Sequence, residues 1–318
     1  MRLLPYILLL FIAAQKVHAQ LPPVFGSAHN DKTTNSDLVK TYLSPQKIIW
    51  KSDYSGEFIQ YENSILKKGN GQVAVNDKRL LNLISTNNHK PAILLDYGIE
   101  IHGGVKISMG IRPNKNPLKL RLRFGESVGE AMSDIGGEQN ATNEHSLRDF
   151  IVEVPWLGSV EVGETGFRFL RIDLVEGDEE APIKSIDATF IYKDIPYLGS
   201  FESSDKRLNE IWATGAYTVH LNMQNYLWDG IKRDRLVWVG DMHPEVMTIN
   251  TVFGANEVVS KSLDLARDQH PLPQWMNGIS SYSMWWVLIH KNWYDYHGDL
   301  GYLKCLTSAK SELLVIDF

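Results

Sequence analysis

The hydrophobic period changes once along this chain, near Pro196, from two residues to between three and four. The short period belongs to half-buried strands and the longer one to amphipathic helices, so a single fold type is excluded. Before the change, Leu118, Leu120, Leu122 and Phe124 alternate with Lys119, Arg121 and Arg123. Leu170, Ile172 and Leu174 alternate with Arg171 and Asp173 in the same way. Val105, Ile107 and Met109 follow Gly103-Gly104, and Ile186, Ala188, Phe190 and Tyr192 make a further run. Turn signals at Asn70-Gly71, Gly136-Gly137 and Gly177-Asp178 separate these runs, with no helical stretch between them. The pattern predicts an antiparallel β-sandwich over residues 45–195 rather than a βαβ sheet.

After Pro196 the pattern predicts helices over residues 200–318. Ser204 or Asp205 can cap a helix that carries Leu208, Ile211, Trp212, Val219, Met223 and Tyr226 on one face. Asn256 can cap a second with Val258, Val259, Leu263 and Ala266. Tyr282 to Tyr296 is aromatic around much of its circumference, as a buried helix would be. Gly298 supplies a left-handed stop, and Asp299 caps the helix holding Leu303 and Leu306.

The first residues read as an address. Arg2, the apolar run Leu3 to Ala14 and Val17-His18-Ala19 describe an export signal over residues 1–19, too short to span a bilayer. Residues 20–44 are polar and read as a flexible lead-in. The expected location is the periplasm or the exterior, with no membrane span. A formal charge of −6 without a basic block argues against nucleic acid. The lone Cys305 excludes an internal disulfide and a cysteine-rich metal site. No phosphate-binding or dinucleotide-binding glycine motif occurs, so no cofactor is expected, and no metal site is read. Asn140-Ala141-Thr142 is a sequon only in a glycosylating host.

Between two predicted helices, Trp228 to Glu245 holds Asp229, Asp234, Asp241 and Glu245 with Lys232, Arg233, Arg235, Trp228 and Trp238. This composition suits a solvated, salt-bridged loop. Two indoles shift the reading towards a ligand, because exposed aromatic faces carry a hydration cost that a ligand relieves. Paired carboxyls can protonate a leaving oxygen and activate water, while indole faces pack on the C–H face of a sugar. His243-Pro244-Glu245 lacks the two-histidine spacing of a metalloprotease and reads as loop. One of Trp285 and Trp286 is expected in the core; the other, with Trp275 and Asn277, can line a cleft.

At these residues the chain resembles the bacterial α-L-rhamnosidases. The shared pattern is Asp229, then Arg233-Asp234, then Leu236-Val237-Trp238-Val239-Gly240-Asp241. Gly278 to Trp286, Tyr294 to Asp299, Asp96 to Gly104 and Gly166 to Arg171 extend the similarity. The resemblance implies β-sandwich domains ahead of an (α/α)₆ toroid and inverting hydrolysis of terminal α-L-rhamnosyl linkages. It places Asp234 in the general-acid position, where the family carries the longer Glu. Asp229, Arg233, Trp238, Asp241 and Trp285 fall to sugar binding, and the partner is a rhamnose-containing glycan or glycoside. Twelve helices need roughly 200 residues, whereas Phe201 to Phe318 supplies 118. The expectation is therefore an N-terminal portion with an incomplete toroid that lacks the downstream general base. A non-catalytic carbohydrate-binding protein is the rival reading, and another deoxysugar or a uronic acid is a third. The sequence leaves the oligomeric state open.

Overall fold

The computed structural model describes residues 31–32, 38–68, 79–112, 114–138, 142–144 and 146–308. The export signal, most of the lead-in, the Asn70-Gly71 turn, Asn140-Ala141 and the apolar end Leu313 to Ile316 lie outside the described residues.

Alternation built the β half as expected. Its strands are β1 (Asp31–Lys32), β2 (Leu38–Leu43), β3 (Lys47–Lys51), β4 (Ile59–Gln60), β5 (Leu81–Ile84), β6 (Ala92–Met109) and β7 (Leu118–Gly125). A short helix α1 (Val128–Met132) precedes β8 (Asp149–Val154), β9 (Gly158–Leu174) and β10 (Glu180–Lys193). Leu118, Leu120, Leu122, Phe124, Leu170, Ile172 and Leu174 are all fully buried. Their neighbours Arg121 and Arg123 reach Asp149, Asp134 and Asp173 across the other face. All pairings are antiparallel, in the order β1-β2-β10-β6-β9-β7-β8, with β3 on β6 and β5 on β10.

Two details depart from the sequence reading. Two central strands are much longer than the runs read from the sequence: β6 has 18 residues and β9 has 17. They stay long because register breaks absorb the twist, between Asp96 and Ile101 and again between Gly103 and Val105. At Gly103 a Cβ would stand 1.8 Å from the Thr189 carbonyl oxygen, so only glycine admits this approach. The sheet also begins earlier than residue 45, since β2 pairs with β10 from Leu38 to Leu43. Val39 and Thr41 are buried there, which corrects that part of the lead-in.

The helical half comprises α2 (Lys206–Asn222), α3 (Val239–Val252), α4 (Glu257–Gln269), α5 (Ser280–His297) and α6 (Leu300–Ser308). Asp205 accepts from the Arg207 N–H, Asn256 from Val258 and Asp299 from Tyr302, each as a helix cap. Gly298 ends α5 in the left-handed conformation. Among these helices α3 packs chiefly on α5 and also touches α2 and α4.

Three expectations change. On α2, Leu208 and Ile211 are exposed and the buried face is Ala216, Val219, His220 and Leu221. Helix α5 buries only Trp286, Ile289, His290 and Trp293, leaving Met284, Val287 and Leu288 in solvent. The stretch read as loop up to Glu245 is helical from Val239 onward, with Gly240 and Pro244 both inside α3.

The two halves pack through α2. Leu221 joins the β core, the Tyr217 hydroxyl donates to the Glu100 carbonyl at 2.6 Å, and His220 Nε2 lies 2.7 Å from the Lys193 carbonyl. Burial lowers the His220 pKa to about 4, against that carbonyl contact, so the ring is neutral.

Candidate active site

The segment from Trp228 to Trp238 leaves α2 and enters α3, and the sequence closes it on itself. The Asp229 N–H donates to the Leu236 carbonyl at 3.0 Å, and the Leu236 N–H donates to Asp229 Oδ1 at 2.9 Å. Between them Asp234 and Arg235 are consecutive left-handed residues, with φ of 59° and 54°. Such a pair costs about 1–2 kcal/mol per residue and persists only under outside restraint.

The restraint comes largely from the β half. Ile231 is buried within the β core, under Gly166, where a Cβ would stand 2.7 Å from Ile231 Cγ1. Buried His102 places Nδ1 3.3 Å from the Ile231 carbonyl and meets Trp228 edge-on at 5.3 Å. Lys232 pairs with Glu130 of α1 and, at 3.4 Å, with Glu126. Arg235 Nη1 donates to the Glu164 carbonyl at 3.0 Å. From the helical side, Asn277 accepts the Val239 N–H at 3.1 Å and donates to the Val237 carbonyl at 3.0 Å. It caps α3 from 38 residues away, because the Trp238 side chain offers no cap.

Four carboxyls share this neighbourhood. The Asp234 side chain is 20% exposed, with Arg233 Nε 3.7 Å away. Burial raises the Asp229 pKa, the nearby Asp234 and Asp241 charges add to it, and the Leu236 N–H opposes them. Asp241 is exposed in the first turn of α3, where the helix dipole favours a negative charge. Glu245, one turn on, is buried with Oε1 on Asn222 Nδ2 at 2.8 Å. Burial raises its pKa to about 8, with Asp241 and Asp229 adding to the effect against Asn222.

The structure therefore brings Asp229, Asp234 and Asp241 together, with Trp238 at the entry to α3 beside Tyr282. Arg233 is mostly solvent-exposed, with its side chain 76% accessible. Trp285 lies on the α3–α5 contact, its ring tilted against His243 with centroids 4.7 Å apart; His243 Nε2 faces the Asn292 amide at 3.1 Å. His243 is thus a helical residue rather than a loop one. Trp286 is the core partner and donates to the Leu263 carbonyl.

Sequence reasoning missed Tyr282 and His102. The Tyr282 ring lies on Gly240, where a Cβ would stand 2.1 Å from Cε1, edge-on to Trp238 at 6.2 Å. Burial and the Asp241 charge raise its hydroxyl pKa. Both residues reach the loop across long stretches of chain, and only the glycines at 166 and 240 hinted at close approach. Among the described residues no group of His, Cys, Asp and Glu is arranged to hold a metal ion. No helix among them is long and apolar enough to cross a membrane.

Comparison with solved structures shows the same architecture. A rhamnosidase from Klebsiella oxytoca with rhamnose bound has a TM-score of 0.64 at 18% identity, over 85% of this chain and 54% of that one. A GH78 family rhamnosidase of Bacillus sp. GL1 gives 0.62 at 18% identity, over 78% of this chain and 26% of that one. An alpha-L-rhamnosidase from Dictyoglumus thermophilum gives 0.52 at 21% identity, over 68% and 26% respectively. The chain thus spans between about a quarter and about half of these proteins. Comparison with curated proteins gives no match. Residues 196–305 match the family model for the bacterial alpha-L-rhamnosidase 6 hairpin glycosidase domain. That match takes in the acid loop and most of the described helical half.

Proposed function

We propose that this chain carries the acid-bearing part of a glycosidase site for terminal α-L-rhamnosyl groups, with Asp234 as the general acid. The observation that carries the reading is the placement of Asp234. It is four-fifths covered, on a restrained backbone, in a loop closed by Asp229 and followed directly by Trp238. An acid of this kind protonates the departing glycosidic oxygen, a contribution of about 10²–10⁴ in rate. Asp229, Asp241 and Arg233 offer acceptors and a donor for sugar hydroxyls, and Trp238 and Trp285 offer indole faces. Inversion requires a carboxylate about 6.5–9.5 Å from the acid to activate water. Glu245 is unfit for that role, because it keeps its proton up to about pH 8. The base is assigned to none of the described carboxyls. The export signal read at residues 1–19 puts this chemistry in the periplasm or outside the cell.

The test is release of the aryl group from an aryl α-L-rhamnoside by this protein and by Asp234→Asn. The variant should lose at least about a hundredfold in rate while binding rhamnose within a few-fold of the parent. Equal rates would remove Asp234 from the mechanism. The unsuitability of Glu245 as base favours a second reading, sugar binding without turnover. Heat of rhamnose binding in calorimetry with no hydrolysis would support that reading, and absence of both would defeat it.

A further inference from the structure

On the β half, a groove of about 150 Å³ opens where β3 meets the 3₁₀ turn Glu62–Leu66, lined by Ile49, Trp50, Lys51, Tyr54, Glu62 and Asn63. It lies well away from the acid cluster. Trp50 pairs with Leu94, and eight residues of β6 separate Leu94 from His102 under the loop, roughly 25 Å at the rise of a strand. Tyr54 is 71% exposed and Ile49 is 42% exposed, yet both stand on fixed backbone. The buried Asp53 carboxylate accepts from the Ser55 N–H and hydroxyl and from the Phe58 and Ile59 N–H groups, at 2.6–3.3 Å. A register break between Ile48 and Trp50 turns Ile49 out of the ladder.

The side-chain polar groups around the groove are the Lys51 ammonium, the Glu62 carboxyl, the Asn63 amide, the Tyr54 hydroxyl and the Trp50 indole N–H. Lys51 pairs with Glu62, and its Nζ lies 5.2 Å over one face of the Tyr54 ring. Burial opposes ionisation of Glu62, but the Lys51 contact holds its carboxyl below the ordinary pKa, so it remains an acceptor. The pair cancels its own charge and leaves no net attraction for an anion or a cation. One face of Trp50 is taken by the Arg171 guanidinium at 5.0 Å, so Tyr54 carries the open ring. An open aromatic face beside a charge-balanced donor and acceptor set suits a neutral sugar, apolar on its C–H faces and polar around its edge. A ring on fixed backbone also loses little freedom when it is covered.

We propose that this groove is a carbohydrate-binding site that holds one neutral pyranose of a gluco- or xylo-configured glycan, its C–H face on Tyr54 and its hydroxyls against Glu62 and Asn63. Such rings carry their ring hydroxyls equatorially and leave both faces flat for an aromatic partner, whereas the axial hydroxyl of rhamnose interrupts one. Glu62 is the one carboxyl on the groove among the described residues, and hydrolysis needs two, so the site attaches the chain to a polymer without cutting it. It is independent of the acid loop.

Calorimetry on the whole protein with cellotriose, xylotriose and L-rhamnose tests this. Each triose should give saturable heat, and excess rhamnose should leave triose affinity within about twofold. Tyr54→Ala should weaken triose binding by at least about tenfold, while Tyr54→Phe, which keeps the ring, should stay within about threefold of the parent. Asn63→Ala should cost about threefold. Tyr54 and Asn63 are both exposed, so melts of all three variants should match the parent. Absence of saturable heat from both trioses overturns the site. So does triose binding that survives Tyr54→Ala, or that excess rhamnose displaces, because the sugar then sits elsewhere. Tyr54→Phe binding as weakly as Tyr54→Ala would refute the stacking.

Discussion

Glu245→Gln separates the electrostatics of the acid cluster from its shape. Glu245 is 8% exposed and its Oε1 accepts from Asn222, a bond that Gln can keep. Burial first, then the charges of Asp241 and Asp229, raise the carboxyl from 4.5 to about 8 in the folded protein. The folded state therefore holds a proton that the unfolded chain releases earlier. Stability from this group is complete below about pH 4.5 and falls as the pH climbs towards about 8, where the folded form also ionises. Between about pH 5.5 and pH 8.5 the loss integrates to about 3 kcal/mol. Gln cannot ionise and escapes it. Urea titrations followed by indole fluorescence should show the variant gaining about 3 kcal/mol on the parent between those two pH values. Glu100, which burial also raises to about 8, titrates in both proteins and cancels in the difference. An unfolding free-energy difference that is the same at both pH values would refute the burial argument.

Other substitutions probe the frame of the loop. Gly166→Ala sets a methyl 2.7 Å from Ile231 Cγ1, so thermal melts should show a loss of about 1–3 kcal/mol together with weaker rhamnose binding. Ser262→Ala strands the Leu227 N–H, which the Ser262 hydroxyl accepts at 2.8 Å in a fully buried place; urea midpoints should fall by about 1–3 kcal/mol. Asn277→Ala removes the borrowed cap of α3 and leaves the Val237 carbonyl without that donor. A stability loss of about 0.5–2 kcal/mol is expected, with altered indole fluorescence reporting on Trp238.

Features governed by neighbouring residues were legible in the sequence. The alternation from Leu118 to Phe124 sets which face is buried, because a strand turns every second side chain the same way. Asp205, Asn256, Gly298 and Asp299 act within one turn, so their capping roles could be read directly. The exposed half of α5 could not, because its aromatic residues look alike whether or not another helix covers them. Pro244 misled because its missing N–H is a local signal, whereas Met242, Val246 and Ile249 hold α3 by burial. The four carboxyls were visible as a cluster in one segment. Their environment was not, because Asn222, His102, Glu130 and Asn277 approach from distant parts of the chain.

The backbone that carries Asp234 depends on the β half, and Lys232 is where that dependence can be isolated. Its side chain and that of Glu130 are each 20% exposed. Lys232→Met keeps most of the stem and removes the charge, leaving Glu130 partly buried with its lysine partner gone. The expected loss is about 1–2 kcal/mol, short of what a fully buried pair would show. With one anchor gone, the left-handed pair at 234–235 keeps the restraints from Ile231, His102, Arg235 and Asn277, and turnover should fall by more than stability does. Adding Glu130→Met restores an uncharged contact and should recover most of the stability, with a coupling near about 1 kcal/mol in the double-mutant cycle. If turnover tracks the same recovery, contact between α1 and the loop positions the acid; if it stays low, the charge itself is needed there. Unchanged stability and unchanged rhamnose affinity in Lys232→Met would show that the loop keeps its conformation without the α1 contact, and Lys232 would lose its role in placing Asp234.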